Sequence, residues 1–343
     1  VSFTEEKRNQ IKRYVLEKIN ENGANIAKRT AETFGISLNT AYRYIREMED
    51  QKIIEKDKDK YRLVERTETF ILKRLRGELK DEDLIYEKYV SKYIVKFPDN
   101  IQRIWQYSFM EMMNNAIDHS ETEIVMLSIF QNFITTTIMI DDAGIGIFRK
   151  IKDFYGYELL DDAVNELFKG KLTTDSNNHS GEGIFFTSRV LDRFAAISDG
   201  KIFTHDKYSE AVSNLEDTRA KDWKHKKGTL IYMELSNFSK KNLMEVFNMF
   251  SNIDGGFTRT HIPIRNIYET YPVSRSQAKR LCHRFEKFQE VELDFEGITE
   301  IGQGFAHEIF VVFQNCHEDT KLIPINVSEN VRKMINHVKH TIN

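Results

Sequence analysis

The chain has 343 residues, 40% of them hydrophobic and 30% charged, with a formal net charge of −3. That length predicts two or three domains, each able to bury its own core. No apolar run approaches the roughly 18 residues that cross a bilayer, and no signal-peptide pattern follows Val1. Cys282 and Cys316 lie far apart without metal-ligand spacing, so they read as buried small hydrophobes in a reducing cytoplasm.

Charge is uneven along the chain. Residues 1–66 carry 15 Lys+Arg against 12 Asp+Glu, and the remainder carries 35 against 41. A mildly basic head on an acidic body is consistent with a polyanionic partner for the head. In that head, Ile11, Val15 and Ile19 recur at i, i+4, i+8, and Gly23 ends the first helix. A second helix turns Ile26, Ala27 and Ala31 inward and stops at Gly35. A third, LNTAYRYIREMEDQ, has Ser37 or Asn39 available as its cap. KIIEKDKDKYRLV then reads as two strands about a charged turn. This order is that of a winged helix-turn-helix. Its third helix would bring Asn39, Thr40, Tyr42, Arg43 and Arg46 to a DNA groove, and wing lysines such as Lys58 would lie over phosphates. Winged helices also serve as protein-docking modules, and Glu47, Glu49 and Asp50 on the same helix fit that use.

Residues 67–96 are charge-rich and helical in pattern, a connector to the next domain. Pro98 interrupts, and Asp99 or Asn100 caps a new helix. Within it Glu111, Asn115 and Asp118 fall at i, i+4 and i+7, while Phe109, Met112, Met113 and Ala116 are apolar. Burying a stripe of two carboxylates and an amide needs a partner, and a metal with phosphates supplies one. EIVMLSIF and FITTTIMI follow as strands about Gln131–Asn132, and the second runs into DDAGIGI. Further on, HSGEGI places glycines before a predicted helix FFTSRVLDRF, where backbone N–H groups can meet an anion. AAISDGKIFTH and GTLIYMEL read as strands, the first a hairpin turning at Asp199–Gly200.

The ordered set E-x-x-x-N, D-x-G-x-G, G-x-G and G-T over about residues 97–236 resembles the GHKL ATPases. These include gyrase B, the heat-shock chaperone, histidine kinases, mismatch-repair ATPases and anti-sigma serine kinases. The resemblance implies an α+β sandwich of the Bergerat type and a site for ATP and Mg²⁺. It implies that Asn115 holds Mg²⁺ through its amide oxygen and that Glu111 is the general base. Asp142 would accept from the adenine amino group, with Gly144 and Gly146 shaping the turn and Ile145 against the base. Ser180, Gly181 and Gly183 would cradle phosphates, and Thr229 would reach adenine. Asp118 would line the pocket rim or orient Glu111, and His119 is as readily structural. Between the glycine boxes the resemblance implies a lid, whose Lys169 and Lys171 are within reach of a γ-phosphate but read more readily as solvent-facing. A long polar insertion follows, without a motif.

From about Thr258 helices and strands alternate, which predicts a small α/β layer. VELDFEGITEIGQGFAHEIF resembles the STAS domain of anti-sigma antagonists. Where that family carries its phosphorylated serine the loop here reads EIGQGF, so the resemblance implies a docking role without a phospho-switch. The expected organisation is therefore a winged helix over 1–66, a helical connector over 67–96, a GHKL domain over 97–257 and a STAS-like domain over 258–343. The expected function is a cytoplasmic, nucleotide-switched ATPase regulator that binds DNA through its head, docks a protein through its tail and forms a homodimer. The alternatives are an anti-sigma-type protein serine kinase and a non-hydrolysing interaction module.

Overall fold

A computed structural model describes residues 3–21, 24–58, 60–172, 181–206, 224, 226–268 and 271–340. It divides into two compact units. One comprises residues 1–70, 127–138 and 234–239; the other comprises 71–126, 139–233 and 240–343. Among the described residues no helix is long and apolar enough to cross a membrane.

In the first unit, α1 (Glu5–Asn20), α2 (Ile26–Phe34) and α3 (Leu38–Asp50) precede an antiparallel hairpin of β1 (Ile54–Asp57) and β2 (Lys60–Leu63). Each stop has a local cause. Gly35 sits at φ +62° as the left-handed cap of α2, and the Ser37 hydroxyl accepts from the Thr40 N–H to start α3. Val15, Leu16, Ile19, Ile45, Met48 and Ile54 form the core of this bundle. Ile134 and Phe238, from distant parts of the chain, pack into the same cluster.

The largest sheet has six strands in the order β3-β4-β5-β8-β6-β7. They are β3 (Arg66–Lys73), β4 (Ile124–Gln131), β5 (Thr135–Asp142), β6 (Arg193–Ser198), β7 (Lys201–Thr204) and β8 (Leu230–Ser236). β3 corrects the expected helical connector. Residues 66–73 alternate in burial, and β-branched Thr67, Thr69 and Ile71 suit a pleated surface better than a helix. A single 3-10 turn follows at Arg74–Arg76, and α-helix begins only at Glu82. The hairpin at Asp199–Gly200 is present, with both residues at positive φ.

Four helices bear on the candidate site: α4 (Asp99–His119), α5 (Ile147–Tyr155), α6 (Leu160–Lys169) and α7 (Gly183–Val190). α7 is shorter than expected, because Leu191 turns extended and the chain enters β6 at Arg193. Next come α8 (Leu243–Phe250), β9 (Arg259–Pro263), α9 (Arg275–Cys282) and β10 (Glu290–Asp294). A helical run from Gln303 to Cys316, β11 (Lys321–Ile325) and α10 (Glu329–His340) complete the chain. The three last strands form a parallel sheet, β11-β10-β9. Its core is continuous with α7, since Phe185 and Phe186 share one apolar cluster with Phe257, Leu281, Phe285 and Leu293.

Candidate nucleotide site

α4 buries Ile104, Trp105, Phe109, Met112 and Met113, which leaves a polar face. Glu111, Asn114, Asn115 and His119 of that face line a cavity of 290 Å³ together with Asp142, Gly146, Lys150, Gly181, Gly183 and Thr229. Ile140 and Ile231 from the sheet and Ile147, Ile151, Leu167 and Phe185 from helices make the apolar part of the wall. Motifs far apart in the chain thus meet at one concave surface.

At the end of β5, Asp142 is only 4% exposed. Its Oδ1 accepts from the backbone N–H of Gly144 at 2.8 Å and of Thr229 at 3.2 Å. Burial pushes this carboxyl above the usual aspartate range, and the two N–H donors and nearby Lys226 act against that rise. Lys226 is held by Asp141 at 2.7 Å and also donates to the Asp142 carbonyl. The Thr229 hydroxyl accepts from the Ile147 N–H at 3.0 Å, which satisfies a first-turn donor of α5.

Three glycines lie in close contact, two of them against backbone atoms. A Cβ on Gly144 would lie 1.8 Å from the Ser120 carbonyl oxygen, and one on Gly183 would lie 2.1 Å from Glu111 Oε2. On Gly228 it would meet the Asp142 carbonyl oxygen at 2.2 Å, at a backbone φ of +73° that already favours glycine. The glycine box therefore lets the start of α7 lie directly against the α4 carboxylate.

Several expected positions fall elsewhere. Asp118 is exposed and is not among the cavity-lining residues; one turn of α4 separates it from Asn115 but carries it off that face. Ile145 is exposed at 37% and does not line the cavity. Gly144 lies against Ser120 and is not among the cavity-lining residues. Ser180 lies outside the described residues. Among the described residues no group of three or more His, Cys, Asp or Glu side chains could hold a metal.

Lys150 was not legible in the sequence. Its Nζ donates to the His119 carbonyl at 2.9 Å and lies 3.4 Å from His119 Nδ1. The only hint is its position one turn into the helix that follows D-x-G-x-G. Lys169, expected to face solvent, is wholly buried. Its Nζ donates to Glu166 at 2.6 Å and to the carbonyls of His283 at 2.8 Å and Arg280 at 3.3 Å. Three acceptors use all three N–H groups of an ammonium, which is how a lysine can be taken out of water.

On the head, Asn39, Tyr42, Arg43 and Arg46 form an exposed stripe along α3, and Lys58 is exposed at the hairpin tip with φ +55°. Thr40 is half-buried and bonds Ser37 at 2.9 Å. Arg43 is 3.8 Å from Glu47.

Among curated proteins compared by sequence, none matches the chain. The parallel layer that ends the molecule is different: residues 277–332 match the family model of a STAS-like domain of unknown function (DUF4325).

Proposed function

We propose that the cavity binds Mg·ATP and that the chain is an ATP-hydrolysing regulator. The observation that carries this reading is the end of β5. Asp142 commits Oδ1 to two backbone N–H groups, and among the described residues nothing donates to Oδ2. A second acceptor oxygen on a side chain only 4% exposed calls for a donor. The amino group on an adenine edge is one, where guanine would present a carbonyl.

The other residues fit the rest of such a ligand. Gly181 and Gly183, at the start of α7, line the cavity, and unpaired helix N–H groups there favour phosphate oxygens. Asn115 offers the hard oxygen that Mg²⁺ prefers, and Lys150 adds positive charge. The metal, when bound, would neutralise phosphate charge. Glu111, on the same face of α4 as Asn115, is placed to take a proton from the attacking water.

The test incubates the full chain with Mg²⁺ and γ-labelled ATP. Label should appear as free phosphate, and Glu111→Ala should slow its release at least ~100-fold while retaining binding. Asn115→Ala should lose Mg-dependent affinity. Label on a protein would make the chain a kinase, and no binding at all would overturn the nucleotide reading.

For the head, the exposed α3 stripe and Lys58 favour DNA as the partner. Replacing Arg43 and Arg46 by Ala should weaken retention on duplex DNA and flatten its salt dependence, by about one slope unit for each phosphate no longer neutralised. If the intact chain ignores DNA at low salt, the head is a protein-docking module. Substitutions are the right instrument here. Deleting residues 1–66 would strip the cover from Ile134 and Phe238.

A further inference from the structure

The buried charges around Lys169 join two parts of the same compact unit. Glu166 and Lys169 belong to α6, whose Leu167 lines the cavity, and Arg284 follows α9 in the STAS-like domain. Glu166, 2% exposed, accepts from Lys169 through Oε1 and from Arg284 Nη1 through Oε2 at 2.8 Å. Lys169 in turn closes the carbonyl end of α9, through Arg280 and His283.

Arg284 is itself 3% exposed. Its Nη2 reaches back to the carbonyls of Gly170, at 3.4 Å, and of Lys171. Thr260 of β9 donates to the Lys169 carbonyl at 2.8 Å, and Lys171 Nζ donates to the Lys287 carbonyl at 2.9 Å. Every residue from 169 to 171 is thus tied to the C-terminal layer. Gly170 is also closely packed, because a Cβ there would meet Phe185 and Phe257 at 2.8 Å.

That tied segment is a wall of the cavity. Gly170 and Leu172 line it, and the Leu172 N–H donates to the Gly181 carbonyl at 3.0 Å, two residues before the glycine that lies on Glu111. Contacts run without a break from Arg284 through Gly170 and Leu172 to the Gly181–Gly183 box.

We propose that the STAS-like domain sets how long the cavity keeps its ligand, with Arg284 as the positioning residue that clamps the wall at Gly170 and Lys171. The proposal rests on the nucleotide reading for the identity of the ligand, and on geometry alone for the clamp. Its chemistry needs an arginine. A planar fork serves a carboxylate and two carbonyls together, and a lysine of equal charge cannot. A protein that docks on this domain and shifts Arg284 would thereby change nucleotide residence.

The experiment uses the full chain with fluorescent ATP and Mg²⁺, chased with unlabelled ATP. Arg284→Lys should release nucleotide about tenfold faster with little change in association, and Thr260→Val two- to threefold faster, since such changes fall mostly on dissociation. Release at the wild-type rate in Arg284→Lys overturns the proposal. A second readout separates this from failure of the nucleotide reading: amide hydrogen exchange of the ligand-free chain. Arg284→Lys should speed exchange at Gly170–Leu172 at least ~10-fold while Ile262 and Leu293, in the parallel sheet, stay protected. If the wild type binds no ATP, only the ligand's identity falls, and this exchange result still decides the clamp. Unchanged exchange at Gly170–Leu172, or equal loss of protection at Ile262 and Leu293, refutes it.

Discussion

Asp142→Asn is expected to cost the chain its ATP affinity by about 100-fold, or ~2.7 kcal/mol, with little change in thermal stability. The substitution keeps the shape and one oxygen. That oxygen can still accept from the Gly144 and Thr229 N–H groups, which are 2.8 and 3.2 Å from Oδ1. The second position becomes an NH₂, so the amino group of adenine meets a donor instead of an acceptor. A purine carrying a 6-carbonyl meets the donor it needs. The variant should therefore lose its preference for ATP over ITP, measured by competition against a fluorescent nucleotide. ATP affinity equal to that of the wild type would remove Asp142 from base recognition. Acid should act in the same direction. Burial raises the pKa of this carboxyl, so protonation cancels the acceptor at a pH above the usual aspartate range, and ATP binding falls as pH drops through that value.

The second large effect is on stability. Lys169→Met should destabilise the fold by about 3–5 kcal/mol, because it strips a buried carboxylate of one cation and leaves the Arg280 and His283 carbonyls without their donor. Urea unfolding followed by circular dichroism measures this, and a loss below ~1 kcal/mol would mean that the pair is dispensable. Glu166 gives the pH signature. Burial pushes its carboxyl up, but the charge of Lys169, hydrogen bonds from His283 and Lys169, and the charge of Arg284 outweigh it and hold the pKa at about 2. A depressed carboxylate contributes stability that is complete above the ordinary value of 4.5 and lost as pH falls towards 2. Wild-type stability should therefore decline across that window. Glu166→Gln should be less stable at neutral pH and show a shallower decline there, and parallel pH profiles would show that Glu166 is not the group responsible.

The Lys169 cluster also marks where sequence reading stops. A lysine near the end of an amphipathic helix has no local sign of burial: Glu166 is three residues away, but the carbonyl acceptors at Arg280 and His283 lie more than a hundred residues further on. Only the packing of the C-terminal layer removes its water. β3 is a similar case: RTETFILK carries no turn or cap that excludes a helix, and its strand state comes from pairing in the sheet. Lys150 enters the site because α4 and α5 converge at His119. Asp118 leaves it because the position of α4 in the core, rather than heptad arithmetic, decides which polar residues face the cavity.

What the sequence determined by itself is local chemistry. The helices of the head, the strands flanking Gln131–Asn132, the turn at Asp199–Gly200 and the alternation of the tail follow from periodicity, caps and glycines, each acting within a few residues. The same holds for the short motifs that place Glu111 and Asn115 on one face of α4 and Asp142, Gly146, Gly181, Gly183 and Thr229 at or beside the ends of elements, where one cavity gathers them. Tertiary structure decided the rest: which faces became walls, which lysine was buried, and that an arginine of the STAS-like domain grips the cavity segment. Those outcomes depend on desolvation and on contacts between residues distant in the chain, and no short window of sequence contains both partners.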